Sequence, residues 1–277
     1  MSTPTRVSIP IRFDLFPGGL SRAVTLSYDD GVVEDRKLVE ILNRHGLKAS
    51  FHLNSGALGR EINLRADEIA ALFRGHEVSA HSVTHPHLGD VPPSQVAWEL
   101  LEDRRALESL AGYPVRGMSY PFGTYSPAVL EALPVLGIEY ARTVASHGGF
   151  DVPENLLLWH PTCHHNGHNG KDLAAIAEAF FTEPKRNRLR LLYVWGHSYE
   201  FPRQNNWDAI ERFAERVARE KTAWCATNIE IADYLRALLQ LRTNVAGTQV
   251  ENLSSLSLWI TWDGAPREIP AGARVAL

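Results

Sequence analysis

The stretch that decides the fold is residues 23–31, Ala-Val-Thr-Leu-Ser-Tyr-Asp-Asp-Gly, a short apolar run that ends in two acids and a glycine. Its β-branched and aromatic residues favour a strand, and Asp-Asp-Gly predicts a turn into the next element. Residues 38–45 then repeat apolar side chains at helical spacing, and Gly46 predicts the end of that helix. A strand followed by a helix is the unit of a parallel sheet covered by helices.

The same alternation continues to about residue 242. Further strands are predicted at 49–53, 77–80 and 190–195, and helices at 66–73, 94–111, 126–137, 207–217 and 227–242. Ser126 is expected to cap one helix, and Thr227 with Glu230 forms a capping box for the last. Beyond Asn244 the pattern predicts a β-hairpin, with strands at 256–262 and 269–275 around the turn Asp263-Gly264.

Composition excludes several classes of protein. The 277 residues are 44% hydrophobic and 22% charged, which is ordinary for a globular chain with its own core. The net charge of −4 and the dispersed basic residues exclude a nucleic-acid footprint, and no apolar run approaches the ~20 residues of a membrane span. No secretory signal is evident, so we expect a cytoplasmic protein with two free thiols, Cys163 and Cys225. The oligomeric state stays open, with a homodimer as one candidate.

Two adjacent acids, Asp29 and Asp30, end the first strong strand. Their mutual repulsion would be relieved by a cation or a shared proton. The alternative is an ordinary turn in which an Asp caps the next helix. The pair alone does not decide between these two interpretations.

Two histidines, His81 and His85, follow the predicted strand at 77–80. At positions i and i+4 they would lie on the same side of one helical turn, where two imidazoles can bind one cation. The alternative for an isolated pair is two surface histidines in a loop. Because the acidic pair and the histidine pair each follow a strand, their joint occurrence favours a single metal site.

These two motifs carry a family resemblance. Ser-Tyr-Asp-Asp-Gly at 27–31, with Gly-His-Glu-Val-Ser-Ala-His-Ser-Val-Thr-His at 75–85, resembles the polysaccharide deacetylase family, the NodB-homology enzymes of carbohydrate esterase family four. In that family the first acid is the general base, and the second acid and both histidines bind the metal. The resemblance extends over roughly residues 22–240. It implies a general base at Asp29 and metal ligands at Asp30, His81 and His85.

Residues 118–123, Met-Ser-Tyr-Pro-Phe-Gly, resemble the family's Arg-Pro-Pro-Tyr-Gly segment. There the arginine steadies the base, and the backbone N–H of the aromatic residue helps to form the oxyanion hole. The resemblance implies that role for the N–H of Phe122. Ser119 stands where the family has arginine, and Arg116 and Arg142 are the candidate replacements. From the residues alone, a turn with the ring of Phe122 packed inwards is the alternative.

Residues 192–198, Leu-Tyr-Val-Trp-Gly-His-Ser, resemble the family's closing Leu-x-His element, which implies that His197 is the general acid. The family's fourth motif is not evident, and Asp151 and Trp159 are its nearest candidates. From the residues alone, a single histidine after a strand is more often structural, and Trp159 is most simply a core residue.

The segment 146–171 is rich in Gly, His and Asn and is predicted to be a long functional loop. It holds the histidines His160, His164, His165 and His168, together with Cys163. A second metal site is one interpretation of this cluster. We favour a solvated loop that faces substrate, because Asp30, His81 and His85 already form a complete set of protein ligands.

One carboxylate and two imidazoles leave coordination positions open, as in a catalytic zinc site. The resemblance implies a divalent cation, most simply Zn²⁺, and hydrolysis of N-acetyl or O-acetyl groups on a sugar or polysaccharide. Substrate contacts are expected from four aromatic residues, Tyr120, Trp159, Tyr199 and Trp207. Two alternatives stay open: a metal-independent amide or cyclic-imide hydrolase on the same fold, and a non-catalytic carbohydrate-binding pseudoenzyme.

Polar groups that follow several parallel strands fit a (β/α) barrel, whose chemistry gathers at the carboxyl ends of its strands. The resemblance implies a distorted barrel of seven or eight strands within the α/β class. We expect residues 1–243 to form this barrel and residues 244–277 to form a β-hairpin extension packed on it.

Overall fold

The structure is a computed structural model that describes residues 11–184 and 186–277. The first ten residues, on which part of the prediction about a secretory signal rests, lie outside the described residues. The strands are β1 (Arg12–Leu15), β2 (Arg22–Asp29), β3 (Ser50–Leu53), β4 (Glu77–Ala80), β5 (Gly117–Ser119), β6 (Tyr140–Arg142), β7 (Cys163–His164), β8 (Arg190–Gly196), β9 (Ala223–Cys225), β10 (Arg242–Thr243), β11 (Gln249–Glu251), β12 (Leu258–Trp262), β13 (Ala265–Ile269) and β14 (Arg274–Ala276). The α-helices are α1 (Asp35–Arg44), α2 (Ile69–Leu72), α3 (Pro93–Ala111), α4 (Pro127–Val135), α5 (Leu173–Thr182), α6 (Glu200–Gln204), α7 (Trp207–Arg219) and α8 (Asn228–Leu239).

The main sheet is parallel and has the order β6-β5-β4-β3-β2-β8-β7, with β9 paired to the first half of β2. Strand β2 is buried along its whole length, as its apolar sequence requires for a strand covered on both faces. The polar residues that follow the strands therefore meet at one edge of the sheet, because parallel strands all end on the same side.

Residues 159–164 connect the two outer strands of this sheet. Trp159 exchanges backbone hydrogen bonds with β6, donating to Ala141 at 2.9 Å and accepting from Thr143 at 3.0 Å. Four residues later, β7 pairs in parallel with β8. The sheet thus curls into the predicted distorted (β/α) barrel. The segment predicted as a long loop supplies one of its strands, β7.

The helix signals of the sequence are confirmed at their termini. The Ser126 hydroxyl accepts a hydrogen bond from the backbone of Val129 at the start of α4. Thr227 and Glu230 form a reciprocal capping box at the start of α8. Gly112 ends α3 with a φ of 78°, a left-handed conformation that glycine adopts without steric cost.

The C-terminal region is more elaborate than the predicted hairpin. Strands β12 and β13 do form a hairpin around Asp263-Gly264, and β12 also pairs with β1 from the start of the chain. The second predicted strand, 269–275, is wrong in its limits: β13 ends at Ile269, and β14 belongs to another sheet with β10 and β11. The division into two units at residue 243 stays a prediction. No described helix is both long and apolar enough to cross a membrane.

Candidate functional site

The candidate site lies at the carboxyl ends of the parallel strands. Asp29 ends β2 and Asp30 follows it, His81 follows β4, and His197 follows β8. Residues that are more than 160 positions apart in the chain therefore lie side by side, because the barrel brings their strand ends together.

Asp30, His81 and His85 place one ligand atom each around a common point. The Oδ1 of Asp30 is 3.7 Å from the Nε2 of His81 and 3.7 Å from the Nε2 of His85. The two Nε2 atoms are 3.0 Å apart. Three ligands on a tetrahedral zinc ion with bonds of 2.0–2.1 Å would be roughly 3.3 Å from one another. The observed spacing and the donor types therefore fit a zinc ion held by these three residues.

The loop that joins the two histidines is not the helical turn assumed in the sequence argument. Strand β4 ends at Ala80, and Ser82 and His85 have positive φ angles of 66° and 59°. Asp30 and Phe122 also have positive φ, so the site holds four of the seven described non-glycine residues in this unfavourable region. Backbone strain of this kind is typical of functional sites, where the surrounding fold enforces a particular direction for each side chain.

A hydrogen bond sets the tautomer of His81. Its Nδ1 lies 2.9 Å from the backbone oxygen of Ser119, which can only accept, so Nδ1 carries the proton. The lone pair of Nε2 is then directed at the common point. Burial lowers the pKa of His81 to about 3, which keeps the ring neutral, as a metal ligand must be.

Two neighbours hold the carboxylate of Asp29. Arg142 carries a positive charge, and the Ser119 hydroxyl donates a hydrogen bond. One carboxylate oxygen accepts from Arg142, and the other accepts from the Ser119 hydroxyl at 3.1 Å. Burial alone would raise the pKa of Asp29, but the charge of Arg142, aided by His81, lowers it well below its usual range. Asp29 is therefore an ionised, oriented carboxylate next to the candidate metal ligands Asp30 and His81.

The structure identifies which arginine stands in for the one missing at Ser119. Arg142 is fully buried, and it reaches Asp29 from the end of β6. Arg116 instead pairs with Asp233 and Glu139 at distances of 2.7 and 3.0 Å, away from Asp29. Of the two candidates from the sequence, the structure supports Arg142 and excludes Arg116.

Phe122 lies at the rim of the site, and its ring is 55% exposed. The ring stacks on His87 with centroids 4.0 Å apart and meets the edge of His85 at 4.4 Å. This corrects the alternative of a ring packed inwards, since the positive φ of Phe122 turns its side chain towards solvent. The sequence argument considered only the backbone N–H of this residue and missed the exposed ring and His87 beneath it.

His197 lies between two acidic groups. Its Nε2 is 3.9 Å from Asp30, and its Nδ1 is 3.6 Å from Glu200. Although burial opposes protonation, Glu200 and the aspartates raise the pKa of His197. Glu200 was missed from the sequence, although its position three residues after the histidine could have drawn attention to it.

Three of the predicted substrate contacts do not face this site. Tyr120 and Trp159 are each 1% exposed, and the Tyr120 hydroxyl donates to the backbone of Leu157 at 2.7 Å. Trp207 packs on Phe201 and under Lys37, in a separate surface groove between α1 and α7. The prediction of substrate contact is therefore wrong for all three: Tyr120 and Trp159 are core residues, and Trp207 lies in a distant groove. Aromatic character alone did not show whether a ring faces the barrel wall or the solvent. Tyr199 alone remains beside the site.

The histidines of segment 146–171 do not form one cluster. His164 and His165 lie against Glu200, whereas the ring of His160 hydrogen-bonds to Thr143 at 2.6 Å. Cys163 is buried in the core, and His168 packs near Gly148. Asp151 pairs with Arg188 and Arg190 rather than with His197, so it is not the partner of that histidine.

A cleft of about 470 Å³ opens directly over Asp30 and His85. Its walls include two basic residues, Arg60 and Arg203, and the aromatic ring of Tyr199. Arg203 stacks over that ring at 4.2 Å. The cleft is large enough for a small ligand and combines apolar walls with a few polar groups, as binding sites commonly do.

Comparison with known proteins agrees with this geometry. Residues 19–141 match the family model described as polysaccharide deacetylase. This segment belongs to the polysaccharide deacetylase family. It contains the acidic pair, both histidines and the segment around Phe122, so the family resemblance inferred from the motifs is confirmed. The match ends one residue before Arg142 and does not include His197 or Glu200.

Curated and structural relatives extend the comparison. A chitooligosaccharide deacetylase from a Bradyrhizobium strain is 30% identical over 113 residues, covering 40% of this chain and 50% of that protein. A candidate polysaccharide deacetylase from Mycobacterium smegmatis has a similar fold, with a TM-score of 0.61, 18% identity and coverage of 87% of this chain and 98% of that chain. A family 4 acetyl xylan esterase from Clostridium thermocellum, in complex with a cobalt ion, gives a TM-score of 0.54 at 14% identity and covers 76% and 89%.

The solved structures support the fold, the family match rests on residues 19–141, and the activity is left to be argued. The chain spans between 28% and 50% of the length of the first curated relatives that it matches. The solved structures are below 25% identity, so they bear on the barrel and not on the reaction.

Proposed function

We propose that the protein is a metal-dependent hydrolase that removes acetyl groups from a carbohydrate. The observation that carries this proposal is the arrangement of Asp29 beside Asp30, His81 and His85. Three residues fit a cation with open positions, and a second carboxylate, that of Asp29, stays ionised and oriented without being needed as a ligand. A site that only binds metal or sugar has no requirement for that additional carboxylate.

The metal dependence is supported by the donor set. Asp30, His81 and His85 would hold the cation, and zinc matches one carboxylate and two imidazoles. Such a cation, when bound, polarises an acyl oxygen and lowers the pKa of its water. The acetyl xylan esterase of similar fold was solved in complex with a cobalt ion, which supports a divalent cation in this proposal.

The roles of general base, oxyanion donor and general acid are assigned to residues of this chain. Asp29, fixed by Arg142 and Ser119, accepts a proton from the attacking water. The backbone N–H of Phe122 donates to the oxygen that becomes negative at the acyl carbon. His197, at the opposite side of Asp30, donates a proton to the departing amine or alcohol. The lowered pKa of Asp29 keeps this carboxylate ionised and able to accept a proton, and the raised pKa of His197 favours its protonated form.

The proposed substrate is an acetylated sugar or oligosaccharide. The ring of Tyr199 lines the cleft, and the exposed Phe122 contacts His85, which also lines it, so both rings can offer apolar faces to a sugar. The curated relatives act on chitooligosaccharides and on peptidoglycan N-acetylglucosamine, as their names state. The proposal covers both N-acetyl amides and O-acetyl esters of sugars, because the nitrogen or oxygen of the leaving group faces the same proton donor.

The test is acetate release by the zinc-loaded chain from N-acetylated chitooligosaccharide and from O-acetylated xylan. We expect release by the wild-type chain on at least one substrate. Asp29→Asn should lower the rate roughly 100- to 10,000-fold, the contribution of a positioned general base. Asp67→Asn is the matched control, since Asp67 pairs with Arg65 on the surface.

The alternatives give different results in the same assay. Activity that survives complete removal of metal by a chelator would indicate the metal-independent hydrolase. Zinc binding without acetate release from either substrate would indicate the pseudoenzyme. Equal release by wild type and Asp29→Asn would contradict the assigned base.

A further inference from the structure

A second group of ligand-type side chains surrounds one oxygen of Glu200. The Nε2 atoms of His164 and His165 are 3.0 and 3.1 Å from Oε2 of Glu200, and Nδ1 of His197 is 3.6 Å from the same atom. The backbone N–H of His197 also points at Oε2, at 3.3 Å. Four nitrogen groups from two parts of the chain, residues 164–165 and residue 197, therefore converge on a single carboxylate oxygen.

Hydrogen bonding alone does not account for this arrangement. A carboxylate oxygen has about two lone pairs, which is too few for four donors. Among the described residues, both ring nitrogens of His165 and Nδ1 of His197 have no hydrogen-bond partner of acceptable geometry. His165 is only 2% exposed, so water does not readily satisfy its ring. Buried polar atoms left without partners are rare, and they indicate an absent ion or water.

Protonating the imidazoles would not resolve the problem. The rings of His164 and His165 have their centroids 4.3 Å apart, so two imidazolium ions would repel each other beside a single carboxylate. A divalent cation resolves it directly, because each neutral imidazole then contributes a lone pair and Glu200 contributes negative charge.

We propose that His164, His197 and Glu200 form a second divalent-cation site, with His165 packed beside it against the same carboxylate oxygen. One ligand atom from each of His164, His197 and Glu200 can be chosen so that all lie within 4.8 Å of one another. The nitrogen-rich donor set selects zinc or a similar borderline-soft ion over magnesium or calcium.

The second site is distinct from Asp30, His81 and His85 but adjacent to it. His197 connects the two, since its Nε2 faces Asp30 and its Nδ1 faces Glu200, so a cation bound at Nδ1 competes with the protonated form of His197 that the proposed hydrolysis uses. None of the ligands of the second site lies in the segment that matches the family model. The site therefore lies outside the segment that matches the family model, although His197 belongs to the segment that resembles the family's closing element.

Metal counting on the full-length chain tests the proposal without reference to acetate release. The chain is stripped with a chelator, loaded with zinc, separated from free metal and measured by mass spectrometry. Cobalt loading, followed by visible absorption, reports the ligand set independently. We expect two ions per wild-type chain and one ion for either His164→Ala or Glu200→Gln.

Variants of the first site separate the two centres. His81→Ala should retain one ion, and His81→Ala combined with Glu200→Gln should retain none. His168→Ala is the matched control in the same segment and should keep both ions. Circular dichroism of each variant checks that the barrel is folded, and His164, which is partly exposed, is the variant least expected to disturb it.

Two results would overturn the proposal. One is a single ion in the wild type that His81→Ala removes completely, with full retention in Glu200→Gln. The other is two ions that persist when both His164 and Glu200 are replaced, which would place the second ion elsewhere. Neither result depends on whether the chain releases acetate, so the failure of this proposal is distinguishable from the failure of the proposed function.

Discussion

The pairing of Arg142 with Asp29 is the contact whose removal should have the largest effect on stability. Arg142 is fully buried, and Asp29 is 2% exposed. Arg142→Met keeps an apolar side chain of similar length and removes the charge. The carboxylate of Asp29 is then buried without its cation and keeps only the hydroxyl of Ser119 as a donor among these neighbours.

The expected loss follows from the cost of leaving one partner of a buried ion pair alone, which is about 3–5 kcal/mol. The guanidinium also lies 4.5 Å from the ring of Trp195, a contact that contributes less. For a chain of this size, each kcal/mol shifts the midpoint of thermal unfolding by roughly 2 °C, so the shift should be about 6–10 °C.

The assay is urea unfolding of the metal-free protein, so that no cation near Asp29 compensates for the lost arginine. The double variant Arg142→Met with Asp29→Asn should recover most of the lost stability, because the buried charge is removed together with its partner. A loss below about 1 kcal/mol for Arg142→Met, or a double variant no more stable than the single one, would refute the reasoning.

Three further predictions concern separate parts of the chain. Burial raises the pKa of Glu77 to about 7, whereas the value in an unfolded chain is near 4.5. The free energy of unfolding should therefore fall as the pH rises from 5 to 8, by up to about 3 kcal/mol, because the folded state resists ionisation of this group. Urea unfolding at both pH values should show a smaller loss for Glu77→Gln than for wild type, and an identical loss would contradict this. Phe122→Asn, which tolerates positive φ, should raise KM for an acetylated oligosaccharide several-fold with a smaller change in kcat, and an unchanged KM would exclude the ring as a sugar platform. Ser126→Ala should lower the free energy of unfolding by about 1 kcal/mol through loss of the cap on α4, whereas Ser126→Gly should cost only a few tenths, and equal losses in urea would argue against a capping role.

The sequence predicted the barrel and the convergence of Asp29, Asp30, His81 and His85 because both depend on short-range patterns. Each pair follows a strand of four or more residues, and parallel strands end at the same edge. Strands β5, β6 and β7 have only two or three residues, too few for a hydrophobic period to be visible. The segment that includes β7 was therefore predicted as a loop, although it contributes a strand of the barrel.

The side chains that the sequence argument misplaced depend on orientation rather than on pattern. Trp159 looks the same in sequence whether it faces a sugar or the barrel wall, and its 1% exposure follows from hydrogen bonds to β6 that no local signal marks. The left-handed backbone at Ser82 and His85 is likewise a tertiary effect, since neither residue prefers it. The convergence of His81 and His85 was predicted correctly, but the helical turn from which it was predicted is not present.

The position of Arg142 explains how the site can lack the family's arginine and keep its charge. Ser119 at the end of β5 and Arg142 at the end of β6 are direct neighbours in the strand register. An arginine on the neighbouring strand in the same register can reach Asp29 because its side chain is long. Ser119 retains a function of its own, since its hydroxyl binds Asp29 and its backbone oxygen sets the tautomer of His81. The positive charge beside the proposed base therefore depends on the ends of two neighbouring strands, β5 and β6. A motif from one strand alone does not show whether that positive charge is present.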